Sequence, residues 1–345
     1  MSTFFNNFSN EKVLIIAEIG VNHDGSLEKA KELVSQAYEC GADAVKFQLF
    51  SASKLSHNFT PKVEYQKKTD THESHFSMLE SLEFSREQHQ LIEVFCKNLG
   101  IMFSTTAYDV SDIDFLASLD MPFIKIASAD IVDTPLIRKA AQSSKPILLS
   151  TGMATKQEII NTVNILNLHK ADFCLMHCTS EYPASSDHVF MNRIDYVSEV
   201  SNGVYGYSDH TTGYLAALMA VSKGARVIEK HFTLDKTGSG PDHLASADPQ
   251  EFKTFVDKIR ECQVMFGDGE FFRTTAEEDM ARTSRKSIYL AKDMDAGETI
   301  SINDIYLRRP GSGLSGQNID DLCNRKLKYN LKAGHAITSL DLFND

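Results

Sequence analysis

The stretch VLIIAEIGVNHDGSLEKAKELVSQAYECGADAVKFQ, residues 13–48, carries two short apolar runs with one helical pattern between them. VLIIAEIG (13–20) reads as a strand. Asp24-Gly25-Ser26 supplies a turn and an N-cap, and apolar residues then recur at helical spacing from Leu27 to Cys40. ADAVKFQ (42–48) reads as a second strand. Strand, helix, strand in this order predicts a parallel pair joined by a crossover helix.

The same theme recurs outward from this unit. A polar excursion from Ser51 to about Leu82 precedes a helical stretch at 85–98. GIMFSTT (100–106), PFIKIAS (122–128), PILLSTG (146–152), DFCLMHCT (172–179), GVYGYSDH (203–210) and RVIEKHFT (226–233) complete a set of eight runs. Most are followed by helical patterns, among them 112–119, 156–168 and 249–266. Eight such units predict a (β/α)8 TIM barrel over residues 1–267 rather than an open doubly wound sheet. No G-x-G-x-x-G follows the first strand, which counts against a dinucleotide site. Residues 268–284 are charged and read as a linker. Within 285–345 an internal repeat, AGETISINDI (296–305) and AGHAITSLDL (333–342), predicts a small β-rich second domain.

Composition narrows the function. The chain has 345 residues and a formal net charge of -12, which disfavours nucleic acid and anionic membrane as partners, because both need a basic face. An anionic small substrate stays possible where basic groups gather locally. No apolar run approaches the roughly 20 residues of a membrane span. The polar start, MSTFFNNFSNEK, lacks the pattern of a secretory signal. Six cysteines without C-x-x-C spacing read as free thiols in a reducing cytoplasm.

Catalytic groups of a barrel sit at the C-terminal strand ends, and here polar residues recur at every expected strand end. Glu18 with Asn22 and His23 ends the first, Lys46 and Gln48 the second, and Ser104 and Thr105 the third. Lys125 and Ser128, Ser150 and Thr151, His177 and Thr179, Ser208 with Asp209 and His210, and Glu229 with Lys230 and His231 follow. Any one could be a satisfied core group, but the recurrence favours a site. Lys46 and Lys125 stand in apolar strands, where an ammonium needs an anion beside it. Pairing with Glu18 or Asp130 would meet that need structurally; a phosphate or carboxylate ligand, held with the nearby hydroxyls, would meet it functionally. His210 and His231 end neighbouring strands, so their imidazoles are placed to share one divalent metal, with water or substrate oxygens completing the shell. Adjacent Ser208, Asp209 and His210 face alternate sides and form no nucleophile triad. Cys178 reads as a core thiol.

At this point the sequence resembles the sialic acid synthase (NeuB-like) family, which condenses phosphoenolpyruvate with an N-acylated hexosamine. The matching stretches include IAEIGVNHDGSLEKA, GADAVKFQ, ILLSTGMAT, HCTSEYPAS, GYSDHTTGY, VIEKHFTLDKTGSGPDHLAS and RRPGSGLS. They run over nearly the whole chain in order, and the tail resembles the family's antifreeze-like (SAF) domain. The resemblance implies a TIM barrel plus that domain, a divalent metal (Mn2+ or Mg2+) and a domain-swapped homodimer. It implies that Lys46, Thr105, Lys125, Ser128, Ser150, Ser180 and Ser208 hold phosphoenolpyruvate and that His210 and His231 bind the metal. Glu18, Gln48, Tyr182 and Asp242 would contact the acyl hexosamine, with Arg309 reaching in from the neighbouring chain. Asp130 is carried over as a carboxylate near the reacting carbonyl, where bacterial members have Glu in S-G-E and this chain has Ser128-Ala129-Asp130. Where many members read S-T-P-F, this chain has Ser104-Thr105-Thr106-Ala107-Tyr108.

The expected activity is therefore N-acetylneuraminate synthesis from N-acetylmannosamine, with legionaminate synthesis from a 2,4-diacetamido-6-deoxy hexose as the alternative. Gly240-Pro241-Asp242-His243 and the Leu-Ala-Ser after it speak against the pseudaminic branch. A pyruvate-using metal aldolase and a non-catalytic sugar-binding protein are the competing classes.

Overall fold

The computed structural model describes residues 4–8, 12–63, 66, 72–201 and 203–343. Eight parallel strands close into a barrel in sequence order. They are β1 (Leu14–Gly20), β2 (Ala44–Leu49), β3 (Met102–Ala107), β4 (Ile124–Ile126), β5 (Ile147–Ser150), β6 (Phe173–Cys178), β7 (Tyr205–Asp209) and β8 (Val227–His231). β8 closes on β1, with Glu18 opposite His231. One crossover helix follows each strand: α1 (Leu27–Glu39), α2 (Arg86–Leu99), α3 (Ile113–Ser118), α4 (Thr134–Gln142), α5 (Lys156–Leu168), α6 (Arg193–Val200), α7 (Leu215–Lys223) and α8 (Pro249–Phe266). Among its described residues, the excursion after β2 carries two shorter helices, Ala52–Leu55 and His75–Leu82. No helix among the described residues is long and apolar enough to cross a membrane.

Helix starts follow local chemistry. Ser26 accepts the Lys29 amide at the start of α1, and reciprocal capping boxes open α2 (Ser85, Gln88), α5 (Thr155, Glu158) and α8 (Asp248, Glu251). Each satisfies amide groups that the first turn leaves unpaired, worth about 1 kcal/mol per cap.

Strand alternation then sorts side chains between two cores. One parity packs outward: Ile15, Ala17, Ile19, Val45 and Phe47 join Leu33, Val34 and Ile92 of the helix layer. The other parity fills the barrel with Leu14, Ile16, Ala44, Leu148, Cys174, Met176 and Val227, joined by Phe5, Phe8 and Phe123. Continued toward the C-terminal ends, the inward parity yields Glu18, Lys46, Gln48, Ser150, Cys178, Glu229 and His231. The barrel is thus hydrocarbon below and polar above.

The outer core contains two histidines that must stay neutral. Burial drives His23 down to about 3 and His89 to about 4. Both rings pack on Phe84, at 4.4 and 5.2 Å. Below the ordinary histidine range near 6.5 the unfolded chain binds protons that the native chain refuses, so stability falls with pH. Urea titrations should show unfolding free energy dropping between pH 6.5 and 4, by up to roughly 1.4 kcal/mol per pH unit per histidine, and a flatter profile in His89→Phe.

The chain divides into two compact units, Met1–Gly267 and Asp268–Asp345. The charged stretch read as a linker is helical in part: Thr275–Ser284 forms α9, opened by a Thr274–Glu277 capping box. In the second unit β9 (Ser287–Leu290) pairs antiparallel with β10 (Ile305–Arg308) over a core of Ile288, Leu290, Ile300, Leu327 and Ile337. The internal repeat is a structural one. Gly297 and Gly334 both take φ above 80°, a conformation that a side chain strains. Ser301–Asp304 and Thr338–Asp341 form matching capping boxes, and Ile300 and Ile337 are fully buried.

Candidate active site

The polar strand ends surround one cavity of about 880 Å³. Glu18, Lys46, Gln48, Lys125, Ser128, Ser150, Ser180, Tyr182, Ser208, His210, His231 and Asp242 all line it. Thr105 does not. Its side chain turns out of the barrel, where its hydroxyl meets His89 Nε2 at 3.2 Å, and Thr106, on the inward parity, takes its place beside Lys46. The one-residue difference follows from the register, which sets Thr106 opposite Gln48 and Thr105 opposite outward-facing Phe47. Asp130 lies in the turn after β4, outside the residues that line the cavity, with Oδ2 buried and unpartnered. Arg309 is an exposed residue of the second unit.

Alternation also separates other strand-end groups from the site. Asn22 donates to Phe232 O and Ser246 Oγ, both at 2.9 Å, tying the β1 loop to the β8 loop. His177 meets Val189 O at 2.8 Å and Thr151 donates to Met176 O. Both face a separate cavity of about 1130 Å³ between the barrel and the helix layer. In Glu229-Lys230-His231, the middle residue points outward, and Lys230 forms a buried pair with Asp209 at 2.9 Å while its neighbours face the cavity.

Inside the cavity, Lys46 Nζ lies 2.6 Å from Glu18 Oε2, 3.1 Å from Thr106 Oγ1 and 3.8 Å from Glu229 Oε1. The internal pairing weighed from the sequence is therefore present for Lys46. Burial alone would discharge this lysine, but Glu18 and Glu229 outweigh it and its pKa rises. Burial pushes the Glu18 carboxyl up to about 7 against the pull of Lys46, so Glu18 titrates near neutrality. Gln48 Nε2 donates to the other Glu18 oxygen at 2.9 Å.

Lys125 is different. Its ammonium donates to Ser150 Oγ at 2.8 Å and Ile126 O at 3.0 Å, and no carboxylate among the described residues lies within 4.0 Å. Burial lowers its pKa, with Glu229 offsetting only part of the effect. A 3%-exposed lysine with neutral partners, in a cavity also lined by Ser128, Ser150, Ser180 and Ser208, could take an added anion. The backbone nearby is fitted to those hydroxyls. Gly152 N donates to Ser128 Oγ at 3.0 Å, and a Cβ at this glycine would lie 2.8 Å from that oxygen and closer still to Ser180 Oγ. Gly152→Ala should therefore raise the KM for the anionic substrate about tenfold or more with a small change in melting temperature, checked by steady-state kinetics and calorimetry.

The same cavity holds two imidazoles, with His210 and His231 ring centroids 5.3 Å apart. His210 Nδ1 meets Thr179 O at 2.7 Å, an acceptor that fixes the proton there and leaves Nε2 as a lone-pair donor. Tyr182 stacks on this ring at 4.1 Å. His231 Nδ1 is buried without a hydrogen-bond partner, and burial with the nearby His210 keeps the ring neutral. Asp242 Oδ2 lies 3.8 Å from it. Among the described residues no group of three or more His, Cys, Asp or Glu forms a complete metal cage. Against the effect of burial, the Cys178 thiol and Thr179 O raise His210 to about 8, so the pair fits a divalent ion only once His210 has given up its proton, and then only as an open site with water or substrate filling the remaining positions.

Three cavity residues lay outside the expected ligand sets. Glu229 accepts from Ser208 at 3.2 Å and shares the inward parity of His231; Thr106 shares that of Ser104. Cys178 lies 3.7 Å from His210 Nδ1 and lines the cavity instead of the hydrocarbon core.

Residues 33–271 match the NeuB family, and residues 285–342 match the SAF domain. The chain belongs to the NeuB family. It is 41% identical to an N,N'-diacetyllegionaminic acid synthase of Legionella pneumophila, over 94% of this chain and 93% of that protein. The synthase of the same name from Campylobacter jejuni is 38% identical, over 95% and 99%. The crystal structure of an N-acetylneuraminic acid synthetase from Leptospira borgpetersenii superposes with a TM-score of 0.69 at 31% identity, covering 79% of this chain and 90% of that one. This NeuB-family chain is thus a phosphoenolpyruvate-condensing enzyme of the sialic and related nonulosonic acid synthases.

Proposed function

We propose that the cavity joins phosphoenolpyruvate to the open-chain aldehyde of a 2,4-diacetamido-6-deoxy hexose and releases phosphate, giving N,N'-diacetyllegionaminate. The observation that carries the condensation is the pairing, within one cavity, of the Lys125 and serine cradle with the two open imidazoles. The 41% and 38% identities to legionaminic acid synthases favour the diacetamido acceptor over N-acetylmannosamine.

Phosphoenolpyruvate binds with an anionic group on Lys125 and on the hydroxyls of Ser128, Ser150, Ser180 and Ser208. Glu18, Gln48, Tyr182 and Asp242 orient the sugar so that its C1 meets C3 of the enol. A bond forms between these carbons, the aldehyde oxygen takes a proton, and C2 of the former phosphoenolpyruvate becomes cationic. Water adds to C2 and loses its protons as the C2–O bond to phosphate breaks, leaving the keto acid. Glu18, titrating near 7, is suited to hold or move a proton beside the aldehyde. Asp130, pushed up to about 7 by burial, lies in the turn after β4 outside the cavity lining and takes no part in this step. His210 and His231 would hold a divalent ion, Mn2+ or Mg2+, which would supply positive charge beside the aldehyde.

The proposal extends to a homodimer in which Arg309 of one copy reaches the site of the other. The free thiols suit a cytoplasmic setting. Phosphate release with Mn2+ present tests the chemistry, run with the diacetamido sugar, with N-acetylmannosamine and with no acceptor. The reading predicts acceptor-dependent release; a pyruvate aldolase would give none.

A further inference from the structure

One flank of the catalytic cavity has a chemistry that a fully hydroxylated sugar does not use. Immediately beyond the β1 and β2 strand ends, the lining changes from Glu18 and Gln48 to Val21 and Phe50. The helices Ala52–Leu55 and His75–Leu82 add Leu55, Met78 and Leu82 to the same wall. Val21, Phe50, Met78 and Leu82 form a hydrophobic cluster of their own, at most 5% exposed, with Leu55 packed against it. A sugar hydroxyl laid on this surface would lose its water without gaining a partner. A methyl group would gain by the burial.

Among the described residues of this excursion, Thr60, Gln66 and His75 are the polar ones that line the cavity. His75 Nδ1 is buried and has no hydrogen-bond partner among the described residues, while the residue lines the cavity. A lone imidazole nitrogen beside hydrocarbon matches the two parts of an acylamino group, its polar amide and its apolar methyl. The wall also stands on the correct side. It is continuous with Glu18 and Gln48, the groups given to the sugar, whereas the anion cradle comes from β4 to β7.

Resting on the condensation reading above, we infer that this wall and His75 select an acceptor whose carbons remote from the aldehyde carry a second acylamino group and a deoxy carbon. Leu55, Met78 and Leu82 take the methyl groups, and His75 takes the amide. The wall determines acceptor specificity and has no part in holding phosphoenolpyruvate.

The test compares kcat/KM for the 2,4-diacetamido-6-deoxy hexose and for N-acetylmannosamine in the full-length protein, in Leu55→Gln and in His75→Phe. Leu55 is only partly buried and His75→Phe keeps the ring volume, so both variants should fold; the KM for phosphoenolpyruvate is the check on site integrity. The wild type should prefer the diacetamido sugar at least tenfold. Each variant should lose roughly tenfold of that ratio, the scale at which a pocket distinguishes one small group. A wild type with no preference, or one preferring N-acetylmannosamine, overturns the inference while leaving the condensation standing. So does a preference that both variants retain. Absence of phosphate release from either sugar overturns the condensation itself.

Discussion

His231→Ala should abolish acceptor-dependent phosphate release, with kcat down by a factor of about 10⁴ or more, and should weaken Mn2+ binding to the same protein. The side chain sits on the last residue of β8, opposite Glu18, with Nδ1 buried and unpartnered and its ring kept neutral by burial. A neutral buried nitrogen without a partner costs stability unless something else uses it. His210 is prepared in the complementary way, its Nδ1 committed to Thr179 O. Removing either ring leaves one protein ligand, too few to retain a divalent ion in an open site. Mn2+ titration by electron paramagnetic resonance, beside a melting curve, separates this from misfolding. The His231→Ala protein should melt at or near the wild-type temperature. Full turnover, or unchanged Mn2+ affinity, would contradict the assignment.

Lys46→Met should lose both stability and activity, and the two losses should part in a double variant. Lys46 is 3% exposed and offsets two carboxylates, Glu18 at 2.6 Å and Glu229 at 3.8 Å. Breaking a buried pair by removing one member costs about 3–5 kcal/mol. Part of that cost is relieved because Glu18, already pushed up to about 7, can take a proton. The loss should therefore deepen as pH rises above 7, where both carboxylates ionise without a counter-charge. Adding Glu18→Gln removes one of those charges and should recover much of the stability, read as the denaturation midpoint at pH 8. Activity should stay lost in both, since the proposed reading gives Glu18 to the sugar and the family resemblance gives Lys46 to phosphoenolpyruvate. Additive effects in the cycle would show that the pair is not coupled.

The barrel was legible because its strands keep their apolar runs and its helices keep their caps. Leu14 and Ile16 precede Glu18 on one face just as Val227 precedes Glu229 and His231, so burial and chemistry share a parity. That parity also explains why Thr105 stands outside the cavity and why several other polar strand-end residues are satisfied core groups. Thr105, His177, Thr151 and Lys230 are polar and near strand ends, yet each lies on the outward face with a partner of its own. Choosing between Thr105 and Thr106 needs the register to β2, a long-range quantity that adjacent residues do not encode. The Lys46–Glu18 pair was legible as an option only, because a lysine in an apolar run demands an anion without saying which. Within the charged segment read as a linker, the Thr274–Glu277 box opens α9, a local signal that composition alone does not carry. The apolar wall lies after β2 in a stretch whose helices are short, where periodicity carries little signal.

The most direct test of the central claim is the fate of C3 of phosphoenolpyruvate. With carbon-13 at C3, the diacetamido sugar and Mn2+, the account predicts a labelled methylene bonded to the former aldehyde carbon of the sugar, formed in step with phosphate. Label recovered as the methyl group of free pyruvate, with the sugar unchanged, would contradict it.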